Sequence, residues 1–177
     1  SCFSGAVLAL QSYTGFSRIS SEHSIAMIVT LSITRELGPV ITGLIVAGRS
    51  GASFASEIAT MRVTDQIDAL YTLSTNPVQY LLLPRILASL IVLPCLVFIA
   101  DILGVMGGYF VSVYKLGFNA SNYIDNSIRF LNAIDVLSGL VKAAIFGFII
   151  GTVSCYNGYY ATTGAKGVGD STTSAVV

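Results

Sequence analysis

Apolar positions along this chain gather into long runs separated by short polar stretches, the pattern of spanning helices rather than of alternating strands. A spanning helix needs about 20 mostly apolar residues. The first run, from Cys2 to about Phe16, predicts part of such a helix. A polar loop follows, Ser17 to Ser24, holding Arg18, Glu22 and His23. The second run, from about Ile25 to Ala59, is long enough to cross a bilayer and project beyond it, although Arg35, Glu36, Pro39 and Arg49 interrupt it. The third, from about Ile86 to Val113, is the cleanest, with Asp101 its only charge. The fourth runs from about Val136 to Tyr156 and carries Lys142 near its start. Ser1 already stands inside an apolar run, and Ala175-Val176-Val177 opens another. The expectation is one domain over residues 1–177 with an incomplete first span and a fifth that begins after Asp170. The predicted fold class is all-α, a polytopic integral membrane protein.

The connections add two shorter helices. Between the second and third spans, Thr64 is placed to cap a helix whose first turn carries Asp65, with Ile67, Leu70 and Tyr71 on one face and Asn76-Pro77 as its stop. Its apolar face requires a partner. Between the third and fourth spans, Tyr123, Ile124, Ile128 and Leu131 fall at helical spacing and predict a second surface helix. Arg62 and Arg85 on one side balance Lys115 and Arg129 on the other, so basic residues do not orient the chain.

Composition agrees with lipid as the solvent. Of 177 residues, 54% are hydrophobic and 10% charged, and the mean hydropathy is +0.78. Soluble domains carry about 25% charged residues. Nine basic and nine acidic residues cancel, which argues against a nucleic-acid or polyanionic partner. Cys2, Cys95 and Cys155 stand far apart in apolar segments, so buried thiols are expected and a metal site is not.

Small residues recur every fourth position at Gly43, Ala47, Gly51, Ala55 and Ala59, and again at Gly139, Ala143, Gly147 and Gly151. That spacing lays each set along one helix face, where backbones can approach closely. Arg35 and Glu36 are more telling, because a charge at mid-membrane costs roughly 2.5–3.5 kcal/mol and usually faces a cavity or a partner. Pro39 lacks the N–H that would serve the carbonyl of Arg35, so a kink is expected there. A polar, bent spot in an apolar span suits the headgroup of an amphipathic ligand. The alternative is that the pair sits at the membrane surface, ahead of a span starting at Leu37.

Two motifs point to enzymes and fail. Gly48-Arg49-Ser50-Gly51 has the G-x-S-G form of intramembrane serine proteases, but a nucleophilic Ser needs a His base, and His23 lies in a loop ahead of that helix. Ser50 reads better as a small packing residue. Gly164 to Gly169 lacks the order of a phosphate loop and predicts a flexible loop, with Asp170, Ser171 and Thr172 as caps for the next helix.

The run Thr34-Arg35-Glu36-Leu37-Gly38-Pro39-Val40 and the stretch VAGRSGASFASEIATMRVTDQIDAL from Val46 to Leu70 resemble the MlaE/YrbE-type permeases. NPVQYLLLPR from Asn76 to Arg85 and the closing GAKGVGDSTTSAVV extend the match to essentially the whole chain. The resemblance implies the membrane subunit of an ABC transporter that moves phospholipids and bears on outer-membrane lipid asymmetry. It implies five spans in a homodimer, a cytoplasmic ATPase subunit that binds the ATP and Mg, and a periplasmic MCE-domain protein. The location implied is the bacterial inner membrane or the plastid inner envelope. By position, Arg35, Glu36, Leu8, Phe16 and Ile19 match the family's lipid pocket, with a departure at Ile19, where some relatives have tyrosine. The helix from about Thr64 to Leu73 matches the coupling helix, with Glu57, Arg62, Asp65, Gln66 and Asp68 as candidate ATPase contacts. The competing expectation is a secondary transporter or channel using Arg35, Glu36 and Asp101 as an ion path. A scaffold for the MCE ring is a third.

Overall fold

The computed structural model describes residues 1–16, 22–162 and 164–177; the side chains of Phe16, residues 22–25 and Phe130 lie outside that description. The described residues form helices α1 (Cys2–Phe16), α2 (Glu22–Ser32), α3 (Gly38–Val46), α4 (Ala52–Val63), α5 (Gln66–Thr72), α6 (Leu83–Tyr114), α7 (Ala120–Phe130), α8 (Ala133–Tyr159) and α9 (Ala165–Ser174). Helical stretches Ala26–Val63, Val78–Tyr114 and Ala133–Tyr159 run 38, 37 and 27 residues and are apolar enough to cross a bilayer. Helices satisfy their own backbone polar groups, which lipid cannot do for them. Along α6, Ile91, Phe98, Ile99 and Ile102 are exposed, a surface suited to acyl chains and unsuited to water.

Three π-helical turns interrupt these stretches, at Ile33–Leu37, Ala47–Gly51 and Val78–Leu82. Two share a cause. Pro39 stands two residues beyond the first turn and Pro84 two beyond the third, at the same offset. Each proline withholds the N–H owed to the carbonyl four residues back, and the ladder slips one residue just ahead of it. The Gly38 N–H donates to the Ile33 carbonyl, five residues back, and the C-terminal N–H of the third turn likewise donates to the carbonyl of Val78. The disruption expected at Pro39 therefore takes the form of a widened turn. No proline follows the second turn, where the Ala52 N–H reaches the carbonyls of Ala47 and Arg49.

The chain divides into two compact units, 1–42 with 95–142 and 43–94 with 143–177, and α6 and α8 pass through both. In the first unit, Ala9, Val29 and Ile33 form the buried core, with Leu8, Val111 and Phe118 packed against it. Helix α1 meets α6 at glycines: a β-carbon at Gly5 would strike the Gly104 carbonyl, and one at Gly107 the Cys2 carbonyl. The Asn119 side chain caps α7 by accepting from the Ser121 N–H at 3.1 Å. Tyr123 is buried with its hydroxyl against Gly108 and without a hydrogen-bond partner, and burial pushes that phenol up to about 12. Helix α7 ends before Leu131, and Ile124 and Ile128 of the expected apolar face stand exposed while Tyr123 and Ser127 are buried.

In the second unit, Ile58, Ile67, Leu81 and Cys155 form the core, flanked by Met61, Leu70, Leu82, Ile86 and Tyr159. The small-residue stripes bring helices together here. Gly51 faces Ser154, Gly43 faces Phe146, and Gly158 lies against Ala55; Ala47 is half-buried. Gly147 and Gly151 face Ser89, whose hydroxyl donates to the Gly147 carbonyl at 2.9 Å. A Gly147→Val substitution would drive a side chain into the Ser89 carbonyl. Overpacking of this kind costs about 1–3 kcal/mol, so a lowered thermal midpoint in detergent is expected, larger than for Gly147→Ala.

Three local expectations are corrected, the first that of buried thiols: Cys155 is buried, but Cys2 and Cys95 are exposed. Thr64 does not cap α5: it ends α4, and its hydroxyl donates back to the Thr60 carbonyl at 2.8 Å. Asp65 takes the N-cap position in left-handed conformation (φ 58°), which Asp tolerates better than a β-branched Thr. The segment after Gly164 is helical, not a loop. Gly164, at φ 90° and ψ 170°, adopts a conformation essentially reserved for glycine and starts α9 at Ala165. Ser171 and Thr172 do not cap a later helix; their hydroxyls donate to the Val168 carbonyl within α9. Helix α9 packs on α4.

Candidate functional site

The first π-turn carries Arg35 and Glu36 side by side, both exposed, and each finds a counter-charge on α8. Arg35 Nη1 lies 3.6 Å from Asp135 Oδ1, and Glu36 Oε1 lies 2.6 Å from Lys142 Nζ. Asp135 and Lys142 are seven residues apart, two turns of α8, and so share a face. Gly139 stands between them, where a β-carbon would strike the Thr34 carbonyl. The absence of that carbon brings α8 close enough for both pairs to form. Lys142 does one thing more: its ammonium donates to the Arg35 carbonyl at 3.1 Å, the acceptor that Pro39 leaves without its helical partner.

The four charges cancel, which lowers the cost of placing them in a membrane-length helix. Their pairing is uneven. Glu36 and Lys142 are within hydrogen-bond reach, whereas 3.6 Å from Arg35 to Asp135 is an ion pair without a hydrogen bond. Arg35, its side chain 55% exposed, therefore keeps guanidinium donors for another anion, and a fork of N–H groups matches phosphate. Beside this turn, an apolar cavity of about 270 Å³ is lined by Thr30, Thr34, Phe98, Asp101, Met106 and Ile128. Asp101 is buried, its carboxylate where a Gly38 side chain would be, and Oδ1 has no hydrogen-bond partner.

The other pocket candidates fall differently. Leu8 packs against Ala9, Val29 and Ile33 in the core of the first unit. Phe16 closes α1, but its side chain lies outside the description, and Ile19 lies outside the described residues altogether. Asp135 and Lys142 were missed as partners. Their signal was present, opposite charges seven residues apart with glycine between, but only a neighbouring helix gives that spacing meaning. Ser50 is half-buried on the second π-turn, and the His23 side chain lies outside the description.

The candidate coupling surface lies on α4 and α5. Arg62 Nη1 donates to Asp68 Oδ1 at 3.0 Å and sits over the Tyr159 ring, whose hydroxyl shares a 3.1 Å hydrogen bond with that of Tyr71. Glu57 pairs with Arg85 at 2.9 Å, and Arg85 also covers the Phe54 ring. Asp65 and Gln66 are exposed at the start of α5. The apolar face of this helix is only partly covered from within: Ile67 is fully buried in the core of the second unit with Leu70 against it, while Tyr71 stays exposed.

Comparison with known proteins agrees with this architecture. The family model described as Permease MlaE matches residues 1–177. A probable ABC transporter permease protein of Rickettsia prowazekii is 67% identical over 99% of this chain and 68% of its own length. One from Synechocystis is 42% identical over 99% of this chain and 66% of its own. The chloroplastic protein TRIGALACTOSYLDIACYLGLYCEROL 1 of Arabidopsis thaliana is 40% identical over all of this chain and 51% of its own. An ABC permease works with an ATPase subunit, and the exposed apolar helices place this one in a membrane. By these matches, on this helical frame, the chain belongs to the MlaE family of ABC transporter permeases.

Proposed function

We propose that this permease moves phospholipids between the bacterial inner membrane and a periplasmic MCE-domain protein, as a homodimer. The ATPase partner binds and hydrolyses Mg-ATP, and this chain carries no catalytic or cofactor role of its own. The observation that carries the reading is the Arg35–Glu36 pair on a proline-flanked π-turn, neutralised from α8, with Thr34 of the same turn lining an apolar cavity. Arg35 offers donors to a lipid phosphate, and the cavity offers an acyl chain an apolar wall. The name of the Arabidopsis relative contains that of a lipid, which supports lipid as the cargo class.

Transport would follow from closure of the ATPase dimer pressing on α5. The Ile67 anchor passes that push into the core of the second unit, and the glycine contacts there let helices slide without interlocking side chains. The test is full-length protein with its ATPase in vesicles, labelled with a photoreactive phospholipid. Glu36→Ala is expected to reduce labelling severalfold and to slow ATP-dependent lipid transfer. Undiminished labelling removes Glu36 from the site, and transfer that ignores ATP overturns the transporter reading.

A further inference from the structure

Most charges in the three membrane-length helices are matched within the described residues: Arg35 with Asp135, Glu36 with Lys142, Glu57 with Arg85 and Arg62 with Asp68. Two are left over, Asp101 and Arg49. A carboxyl group has a neutral form to fall back on; a guanidinium has none, so Arg49 stays charged and open to an anion from outside these residues.

The surroundings of Arg49 say which anion. It is exposed on the second π-turn, off the face on which Gly51 and Ala55 pack against α8. Ile45 lies one turn before it on the same ridge and is 62% exposed, and Leu44 on the next ridge is 69% exposed. Gly48, between them and Arg49, has open space where a β-carbon would stand. Past Arg49 the helix turns polar, with Ser53, Ser56, Glu57, Thr60 and Arg62, and Glu57 is eight residues on, roughly 12 Å of helix rise. Apolar surface, then an unpaired guanidinium, then polar surface is the order of acyl chain, phosphate and water in a leaflet.

We propose that Arg49, with Leu44, Ile45 and Gly48, binds a phospholipid of the leaflet on the α5 side, its phosphodiester on the guanidinium and an acyl chain along Leu44 and Ile45. This site is separate from Arg35 and Glu36. As a point where cargo enters or leaves the transporter it rests on the lipid-moving reading above; as a phosphate site it does not.

The experiment places benzoylphenylalanine at Leu44 in the full-length permease with its ATPase. The vesicles mix phosphatidylglycerol and phosphatidylethanolamine with an uncharged galactolipid, and lipid transfer is read in parallel. Phospholipid crosslinks are expected to exceed galactolipid crosslinks by about tenfold, the scale of one charge-assisted contact. Arg49→Gln should erase that preference, and Arg49→Lys should keep part of it. Equal labelling of both lipids by the wild type, a preference that survives Arg49→Gln, or crosslinks to a second copy or another subunit would overturn the site. Preference without any phospholipid transfer would leave the site standing and remove the transport reading instead.

Discussion

Asp68→Lys in the full-length protein is expected to separate the permease from its ATPase while its membrane helices stay folded. The magnitudes make this a readable experiment. The Arg62–Asp68 pair is half exposed, and such pairs contribute about 0–1 kcal/mol to stability. Ile67, by contrast, is fully buried, and burying a side chain of that size stabilises by about 1.5–3 kcal/mol. Helix α5 should thus stay docked when the pair is reversed, and lost co-purification of the ATPase would report a lost partner contact rather than local unfolding. The exchange Arg62→Asp with Asp68→Arg restores the ion pair but leaves the surface pattern inverted. If ATPase assembly returns in the exchange, the pair is structural and Asp68 is no docking residue.

Lys142→Met should have the second large effect, on both stability and lipid retention. It strips Glu36 of its counter-charge and leaves the Arg35 carbonyl with neither the N–H that Pro39 lacks nor the ammonium. In a membrane-length helix one lone charge costs more than none, because the remaining carboxylate has no compensation. Glu36→Gln added to Lys142→Met should therefore recover most of the lost thermal stability, measured by unfolding in lipid nanodiscs. Phospholipid retained through purification should fall roughly tenfold in the single variant and stay low in the double one, since neither restores the arrangement that presents Arg35. Equal stability of the single variant and the wild type would show that the clasp across Gly139 does not hold the turn.

The spans were legible because insertion depends on summed transfer free energies along one segment. Ile25 to Ala59 became Ala26–Val63, Ile86 to Val113 became Val78–Tyr114, and Val136 to Tyr156 became Ala133–Tyr159. The ends moved where helix continued past the apolar run, on Glu57 with Arg85 or on Asp135 with Arg35. The position of Arg35 and Glu36 in a membrane-length helix was legible too. Their partners were not, since Asp135 and Lys142 lie about a hundred positions away and no local rule joins them. Thr64 misled because hydroxyl caps are common, while the turn demanded a left-handed residue and took Asp65. The loop expected from Gly164 to Gly169 misled because glycines are read as breakers, yet Gly167 packs where a β-carbon would strike the Thr162 carbonyl.

By itself the sequence determined an all-α membrane protein of this family, the rough extent of its three long spans and a break in the helical ladder at Pro39. These follow from solvation and backbone geometry, which act between near neighbours. Tertiary structure decided which glycines touch, which charges cancel and which stay open. Gly5 meets Gly104, Lys142 meets both Glu36 and the Arg35 carbonyl, and Arg49 meets no counter-charge among the described residues. Those outcomes depend on helices distant in sequence arriving within a few ångströms, where contact and Coulomb energies become large enough to choose among alternatives that local patterns leave equal.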